Sequence, residues 1–263
     1  MRADCPKARA RISLLGAAVL AAVVAAAAQS AELERDVAKR TPVPILMYHV
    51  IGDPPPDAPY PELYVSRADF EGQMRWLERH GYNAVTLRVV WDHWPAGAPL
   101  PKKPIVLSFD DGYRSVAQVA LPAMRNRAWP GVLNLSVKNL RASGGLSERQ
   151  VRRMIAAGWE FDSHTLMHPD LTGLEGEELA REITGSRRAL RSLLGVDVDF
   201  FCYPSGRYDA RVIEAVRRTG YLGATTTIEG LAQPDEPYEL RRVPVSRSDG
   251  VEGLAAKLER ARI

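Results

Sequence analysis

Two acids and two imidazoles carry the most reactive chemistry in this chain. Asp110 and Asp111 stand side by side in VLSFDDGY (106–113), where an apolar, β-branched run ends, and His164 and His168 lie four residues apart in DSHTLMH (162–168). Adjacent carboxylates repel, and burying even a neutral polar group without a partner costs about 2–7 kcal/mol. The acid pair therefore calls for a cation, a surface turn, or both. A spacing of four brings two imidazoles to one side of a helical turn. Two neutral imidazoles with one carboxylate form a ligand set for a hydrolytic Zn2+ or similar divalent ion, with positions left open for water and substrate. One acid of the pair can then ionise against the ion while the other takes a proton from the water held there. A lone D-D-G is more often a turn, and H-x-x-x-H is common by chance. The signal is the combination, each motif following a strand and preceding a helix.

The elements that must position these residues alternate along the chain. PILMYHV (44–50), NAVTL (83–87), PIVLSF (104–109), GVLNLSV (131–137) and WEFDSH (159–164) read as strands, followed by VDFFCYP (198–204), YLGATTT (221–227) and YELRRVPV (238–245). Between them Ser66, Ser147 and Asp209 are in place to cap helices, and Gly81, Gly158, Gly195 and Gly220 to stop them. Helices are expected over 67–80, 114–126, 147–157, 175–194 and 209–220. Strands alternating with helices predict a mainly parallel sheet with helices outside. The expectation is a distorted or incomplete (β/α) barrel of about seven parallel strands, with a doubly wound open sheet as the fallback. In either fold, reactive residues gather past the carboxyl ends of strands, where both motifs lie.

The amino terminus reads as a targeting segment. Arg2, Lys7, Arg9 and Arg11 precede an apolar stretch from Ile12 to Ala28, and AQSAE offers small residues for cleavage near Ser30 or Ala31. The expected organisation is a signal peptide over 1–30, a charged tether over 31–42 and one catalytic domain over 43–263. The product is exported to the periplasm or the extracellular space, with an uncleaved anchor helix as the alternative. Removing the leader removes Cys5, so Cys202 is left alone and no intramolecular disulfide can form. The net charge of +3 is small and the basic residues are interleaved with acids, which argues against nucleic acid as a partner. A monomer with no membrane span in its mature form is expected.

Taken in order, SFDDGY, EFDSHTLMHPDL and FFCYPSGRYD resemble the polysaccharide deacetylase family, the NodB-homology domain of carbohydrate esterase family four, from about residue 43 to 246. The resemblance implies a distorted (β/α) barrel that removes N-acetyl, or sometimes O-acetyl, groups from glycans with a divalent metal. Zn2+ is the first expectation, with Co2+, Ni2+ or Mn2+ as alternatives. Transferred onto this sequence, it makes Asp110 the catalytic base and Asp111, His164 and His168 the metal ligands. The YPSG turn, with Tyr203, Ser205 and Gly206, becomes the oxyanion and substrate-binding segment, Ser205 supplying its backbone N–H.

This sequence departs from the family pattern in three ways. The Arg that usually opens the third motif and pairs with the base is replaced by Cys202; Arg242 in LRRVPV can supply that charge, or be a surface cation. No Asp-Trp pair appears where a fourth motif would stand, and no His follows His168 to act as the late acid. His49 at the end of LMYHV has the chemistry to protonate a departing amine. An early Tyr-His strand, together with SRADFEGQMRWLERHGYNAVTL, resembles the subgroup that includes poly-N-acetylglucosamine deacetylases. His80 is expected to be a helix C-terminal cation and His93 a surface or packing residue. Cys202, inside FFCYP, reads as an inert buried thiol. The reading that follows is an exported metal-dependent deacetylase of an N-acetylated glycan. An O-acetyl esterase on the same scaffold and a non-catalytic glycan-binding domain stand as alternatives.

Overall fold

The structure, a computed structural model, describes residues 41–261. The expected signal peptide and nearly all of the tether lie outside the described residues. Ten strands are described: β1 Ile45–Tyr48, β2 Val50–Ile51, β3 Tyr64–Val65, β4 Asn83–Val85, β5 Pro104–Asp111, β6 Val132–Leu135, β7 Glu160–Ser163, β8 Phe200–Cys202, β9 Gly223–Glu229 and β10 Leu240–Pro244. Seven of them run β1-β10-β9-β8-β7-β6-β5, and β5 pairs back to β1, closing a barrel in which every pairing is parallel. β4 lies outside the ring, parallel to the first residues of β5. The expected (β/α) barrel is therefore present, and it is closed rather than open.

Alternation along the strands sorts side chains onto two faces. Leu46, Leu107, Leu133, Phe161 and Phe201 pack with helix residues such as Phe70, Met74, Met154 and Val212, so this parity faces outward to the helices. Ile45, Val106, Val132, Phe200 and Leu240 form a second cluster on the inner face. Continuing the inner parity toward the carboxyl ends passes through Ser108 and Asp110, Asn134, Asp162 and His164, Cys202, and Arg242. Period-two geometry alone thus carries most of the polar residues to one end of the barrel interior.

The predicted caps are in use. Ser66 accepts from the Asp69 N–H at 3.0 Å, Asp209 accepts from Val212 at 2.8 Å, and Ser147 and Gln150 complete a reciprocal capping box. Two of the expected helices widen to π turns, at Val116–Ala120 and Arg181–Gly185. Two further helices are present that the strand–helix alternation did not predict. Leu87–Ala96 is capped by Thr86 and buries Leu87, Val90 and Trp94 in the inner cluster, and Gly250–Arg260 packs on Arg67–Arg79. No helix among the described residues is long and apolar enough to cross a membrane.

Phe109 anchors the outer face beside the acid pair. It is fully buried and its ring stacks on Tyr48 at 5.4 Å and Trp159 at 5.3 Å between centroids. Phe109→Ala is expected to cost about 3–5 kcal/mol. In urea unfolding the midpoint should fall while the slope stays unchanged.

Candidate metal and catalytic site

The carboxyl ends of β1, β5, β7, β8 and β10 meet around Asp110. Its carboxylate receives both guanidinium nitrogens of Arg242, Nη1 to Oδ1 at 2.8 Å and Nη2 to Oδ2 at 2.8 Å. Asn134 on β6 donates to Oδ1 at 2.7 Å. Arg242 is not a surface cation: it is 0% exposed, and its remaining donors go to the Thr226 carbonyl at 2.7 Å and Ser108 Oγ at 3.2 Å. Burial alone would raise the pKa of Asp110. The charge and hydrogen bonds of Arg242, helped by His49 and His164, overcome it and hold the carboxyl well below its usual range. Its surroundings therefore favour the ionised form of Asp110, although it is buried.

Asp111 falls on the outward parity, and its backbone solves the problem. Its φ is 73°, in the left-handed region, and its Oδ1 lies 3.6 Å from His164 Nε2 and 3.5 Å from His168 Nε2. Gly112 follows with φ 97°, and a Cβ there would meet Leu135 Cδ1 at 2.3 Å. Left-handed non-glycine residues cost of order 1–3 kcal/mol and concentrate where geometry serves a function. Four of the seven described are Asp111, Thr165, His168 and Ser205, at the strand end and in the loops at this end of the barrel.

The histidine loop is tied down by groups the motifs did not reveal. Glu182, buried, accepts from the Leu166 N–H at 3.0 Å and the Met167 N–H at 2.9 Å, while Thr165 Oγ1 accepts from the His168 N–H at 2.8 Å. His164 Nδ1 donates to the Cys202 carbonyl at 2.7 Å, which leaves the Nε2 lone pair facing Asp111. A carboxylate oxygen and two imidazole nitrogens thus converge, all within 4.8 Å of one another. Lone pairs so arranged repel unless a cation lies among them, so the donor set fits a divalent metal ion. Burial disfavours charge on His164, yet Cys202 and the two acids outweigh it and push its pKa up to about 10. A proton is drawn to the place that suits a metal. Asp110, His164 and Cys202 also cluster, but there the Arg242 guanidinium already supplies the cation, with Nη2 3.3 Å from the Cys202 sulfur.

His49 sits at the rim, Nε2 3.8 Å from Asp110 Oδ2 and 15% exposed at its side chain. Burial lowers its pKa, and Asp110 and Asp111 pull the other way. Ser205 occupies the turn after β8 with φ 53°, and its N–H meets no carbonyl among the described residues. Gly206 is required there, since a Cβ would lie 1.9 Å from Thr227 Oγ1. The Tyr203 ring is buried against Phe201 and Tyr208 and its hydroxyl donates to the Tyr238 carbonyl at 3.0 Å. Tyr203 thus supports the turn and does not present its hydroxyl to the acids. His80 stacks on Trp76, and His93 is buried with Nδ1 on the Ala98 carbonyl. Neither lies in the cluster.

A closed (β/α) barrel whose strand ends gather an ionised acid, a second acid and three imidazoles defines a hydrolase-like class of site. Known proteins make this specific. The sequence pattern of the polysaccharide deacetylase family matches residues 97–224. YxkH of Bacillus subtilis (strain 168), a protein named for that family, is 30% identical over 223 residues, which span 82% of this chain and 75% of YxkH. A poly-β-1,6-N-acetyl-D-glucosamine N-deacetylase of Staphylococcus aureus (strain MRSA252) is 27% identical over 197 residues, 69% of this chain and 68% of the relative. The structure of Streptococcus pyogenes deacetylase PplD in complex with acetate superposes with a TM-score of 0.77 at 26% identity, over 83% of this chain and 98% of that one. The chain belongs to the polysaccharide deacetylase family.

Truncating Arg242 would leave the Asp110 charge buried without its partner. Arg242→Gln is expected to destabilise the fold by about 3–5 kcal/mol. Arg242→Lys, which keeps the charge but loses the paired geometry, should lose clearly less. Guanidinium unfolding of the two variants beside wild type checks the order.

Proposed function

We propose that this protein is an exported, metal-dependent hydrolase that removes N-acetyl groups from a polysaccharide of N-acetylated amino sugars. The observation that carries the reading is the juxtaposition of two sets. Asp110, locked and ionised by Arg242, stands beside the convergent donors Asp111, His164 and His168, with His49 3.8 Å from Asp110. Asp111, His164 and His168 would hold the ion, Zn2+ in the first instance, which when bound supplies Lewis acidity toward water and the acyl oxygen.

The remaining chemistry falls to the chain itself. Asp110 accepts a proton from the attacking water, and Arg242 and Asn134 keep its carboxylate aimed while it does so. The Ser205 N–H donates to the oxygen that becomes negative as water adds to the acetyl carbon. His49 gives a proton to the amine nitrogen as the carbon–nitrogen bond breaks, releasing acetate and a free amino sugar. The S. aureus relative, named for poly-β-1,6-N-acetyl-D-glucosamine, supports an N-acetylglucosamine polymer as substrate. Export follows from the leader-like residues 1–30.

Purified protein is expected to release acetate from N-acetylglucosamine oligomers and to lose that activity on chelation. Asp110→Asn should keep stoichiometric metal, measured by mass spectrometry, with turnover lowered at least about 10²-fold. His164→Ala should lose metal and turnover together. Turnover of Asp110→Asn equal to wild type would overturn the mechanism. Release from acetylated xylan but not from amino-sugar oligomers would replace it with O-acetyl esterase chemistry.

A further inference from the structure

A second surface gathers charge that the catalytic reading does not use. The helices Leu121–Arg125 and Glu148–Ala156 flank a groove of about 1270 Å³, with Arg114, Arg125, Arg149 and Arg153 along its walls. No carboxylate among the described residues lines it. Arg114 spends its Nε on the Gly145 carbonyl, whereas the side chains of Arg125, Arg149 and Arg153 have no hydrogen-bond or ion-pair partner among the described residues. Two nearby arginines are paired, Arg141 with Glu148 and Arg127 with Glu78, whereas Arg152 on the same helix is also without a side-chain partner among the described residues. In sequence the four are spread over forty positions that hold a single acid, Glu148, and the packing of the two helices brings them together.

The groove has a direction. Arg114 follows the carboxyl end of β5, three residues beyond Asp111, so this end opens toward the face that bears the site. Trp129 and Ala157, which also line it, precede β6 and β7 and therefore lie toward the opposite end of the barrel. Leu121 and Pro122 add apolar surface to its lining, and Gln118 and Asn126 add neutral hydrogen-bonding groups. Guanidinium forks match carboxylates in geometry as well as charge. A flat anionic membrane is the poorer occupant. The surface is concave, and the large exposed apolar side chains that would enter a bilayer, Tyr60, Val89, Met167, Leu193 and Ile228, are all outside it.

We propose that this groove binds an acidic, carboxylate-bearing stretch of the glycan chain on which the neighbouring site acts. The inference rests on the proposed function for the identity of the polymer. It assigns to that polymer a negative charge that a plain N-acetylglucosamine chain does not have.

The test uses the full chain, with fluorescence anisotropy on a labelled oligosaccharide of alternating N-acetylglucosamine and glucuronate. A labelled neutral N-acetylglucosamine oligomer of equal length is the comparison. At low salt the acidic oligomer should bind about tenfold or more tightly than the neutral one, with a difference that shrinks as salt rises. The triple variant Arg125→Gln, Arg149→Gln, Arg153→Gln should lose that advantage while acetate release from the neutral oligomer is unchanged. The corresponding Lys triple variant should keep part of it. Equal binding of acidic and neutral oligomers, or an unaltered preference in the Gln triple variant, overturns the proposal. So does tighter arginine-dependent binding of polyglutamate or of phosphatidylglycerol vesicles. Acidic-glycan binding through these arginines without acetate release from any glycan would instead sink the catalytic reading and leave the groove standing.

Discussion

One buried ion pair organises this barrel. Asp110 and Arg242 are 132 residues apart in sequence, come from adjoining regions of the ring, and meet through two 2.8 Å hydrogen bonds inside it. Burying either charge alone would cost several kcal/mol, and the pair is tolerable because every strong donor and acceptor is used. Arg242 reaches the Thr226 carbonyl and Ser108, and Asp110 also takes the Asn134 amide. Ser108 in turn donates to the Leu46 carbonyl on β1. Five strands of the ring, β1, β5, β6, β9 and β10, are thus tied to one carboxylate, whose position fixes where a proton can be accepted.

Around this fixed point, the remaining residues arrive by two different devices. Inner parity brings His164, Cys202 and Asn134 without strain, because alternate residues of a strand share a face. Asp111, His168 and Ser205 do not follow from parity, and each adopts a positive φ. The energy stored there is offset by specific ties: Gly112 allows the close approach to Leu135, Glu182 holds the amides before His168, and Gly206 lets the Ser205 turn press on Thr227. The rigid pair and the strained loops together separate two jobs that adjacent acids would otherwise share. Asp110 is saturated by a guanidinium, and Asp111 is left facing imidazole lone pairs.

Local signals in the sequence account for what was legible. SFDDGY and DSHTLMH are contiguous, so both motifs and the strands that carry them can be read directly, and the Ser66, Ser147 and Asp209 caps act within a few residues of themselves. The helix Leu87–Ala96 was also within reach: Thr86 precedes Leu87, Val90 and Trp94 at helical spacing, with Gly97 as a left-handed stop. Reading NAVTL as a strand through Leu87 takes up the residues that open this helix. Arg242 was harder, because LRRVPV offers two adjacent arginines and only the strand's place in the closed ring decides which one points inward. Arg241 is exposed and Arg242 buried. Glu182 and Asn134 were beyond sequence reasoning for the same cause. A Glu in a helix and an Asn in a strand carry no mark of a partner that folding brings from elsewhere, although a lone polar residue within VLNL was a hint.

The inner face of the barrel also supplies a contrast that shows what the ion pair does. Asp162 on β7 is as buried as Asp110, but its neighbour is Glu160 on the same strand, and one oxygen of each acid is left without a partner. Burial pushes both acids upward; the charge of Glu160 adds to it at Asp162, which lies well above its usual range, while the hydrogen bond to Asp162 works the other way at Glu160. The shared solution for two such carboxyls is to retain a proton between them. Two aspartates on the inner face of one barrel, separated by a single strand, are thereby driven in opposite directions by what faces them. Two acids facing each other retain a proton between them, whereas an acid facing Arg242 stays ionised and can accept one. Cys202 in place of an arginine does not weaken this logic, because the charge is supplied from β10 through the barrel interior, and the thiol merely fills the space beside it.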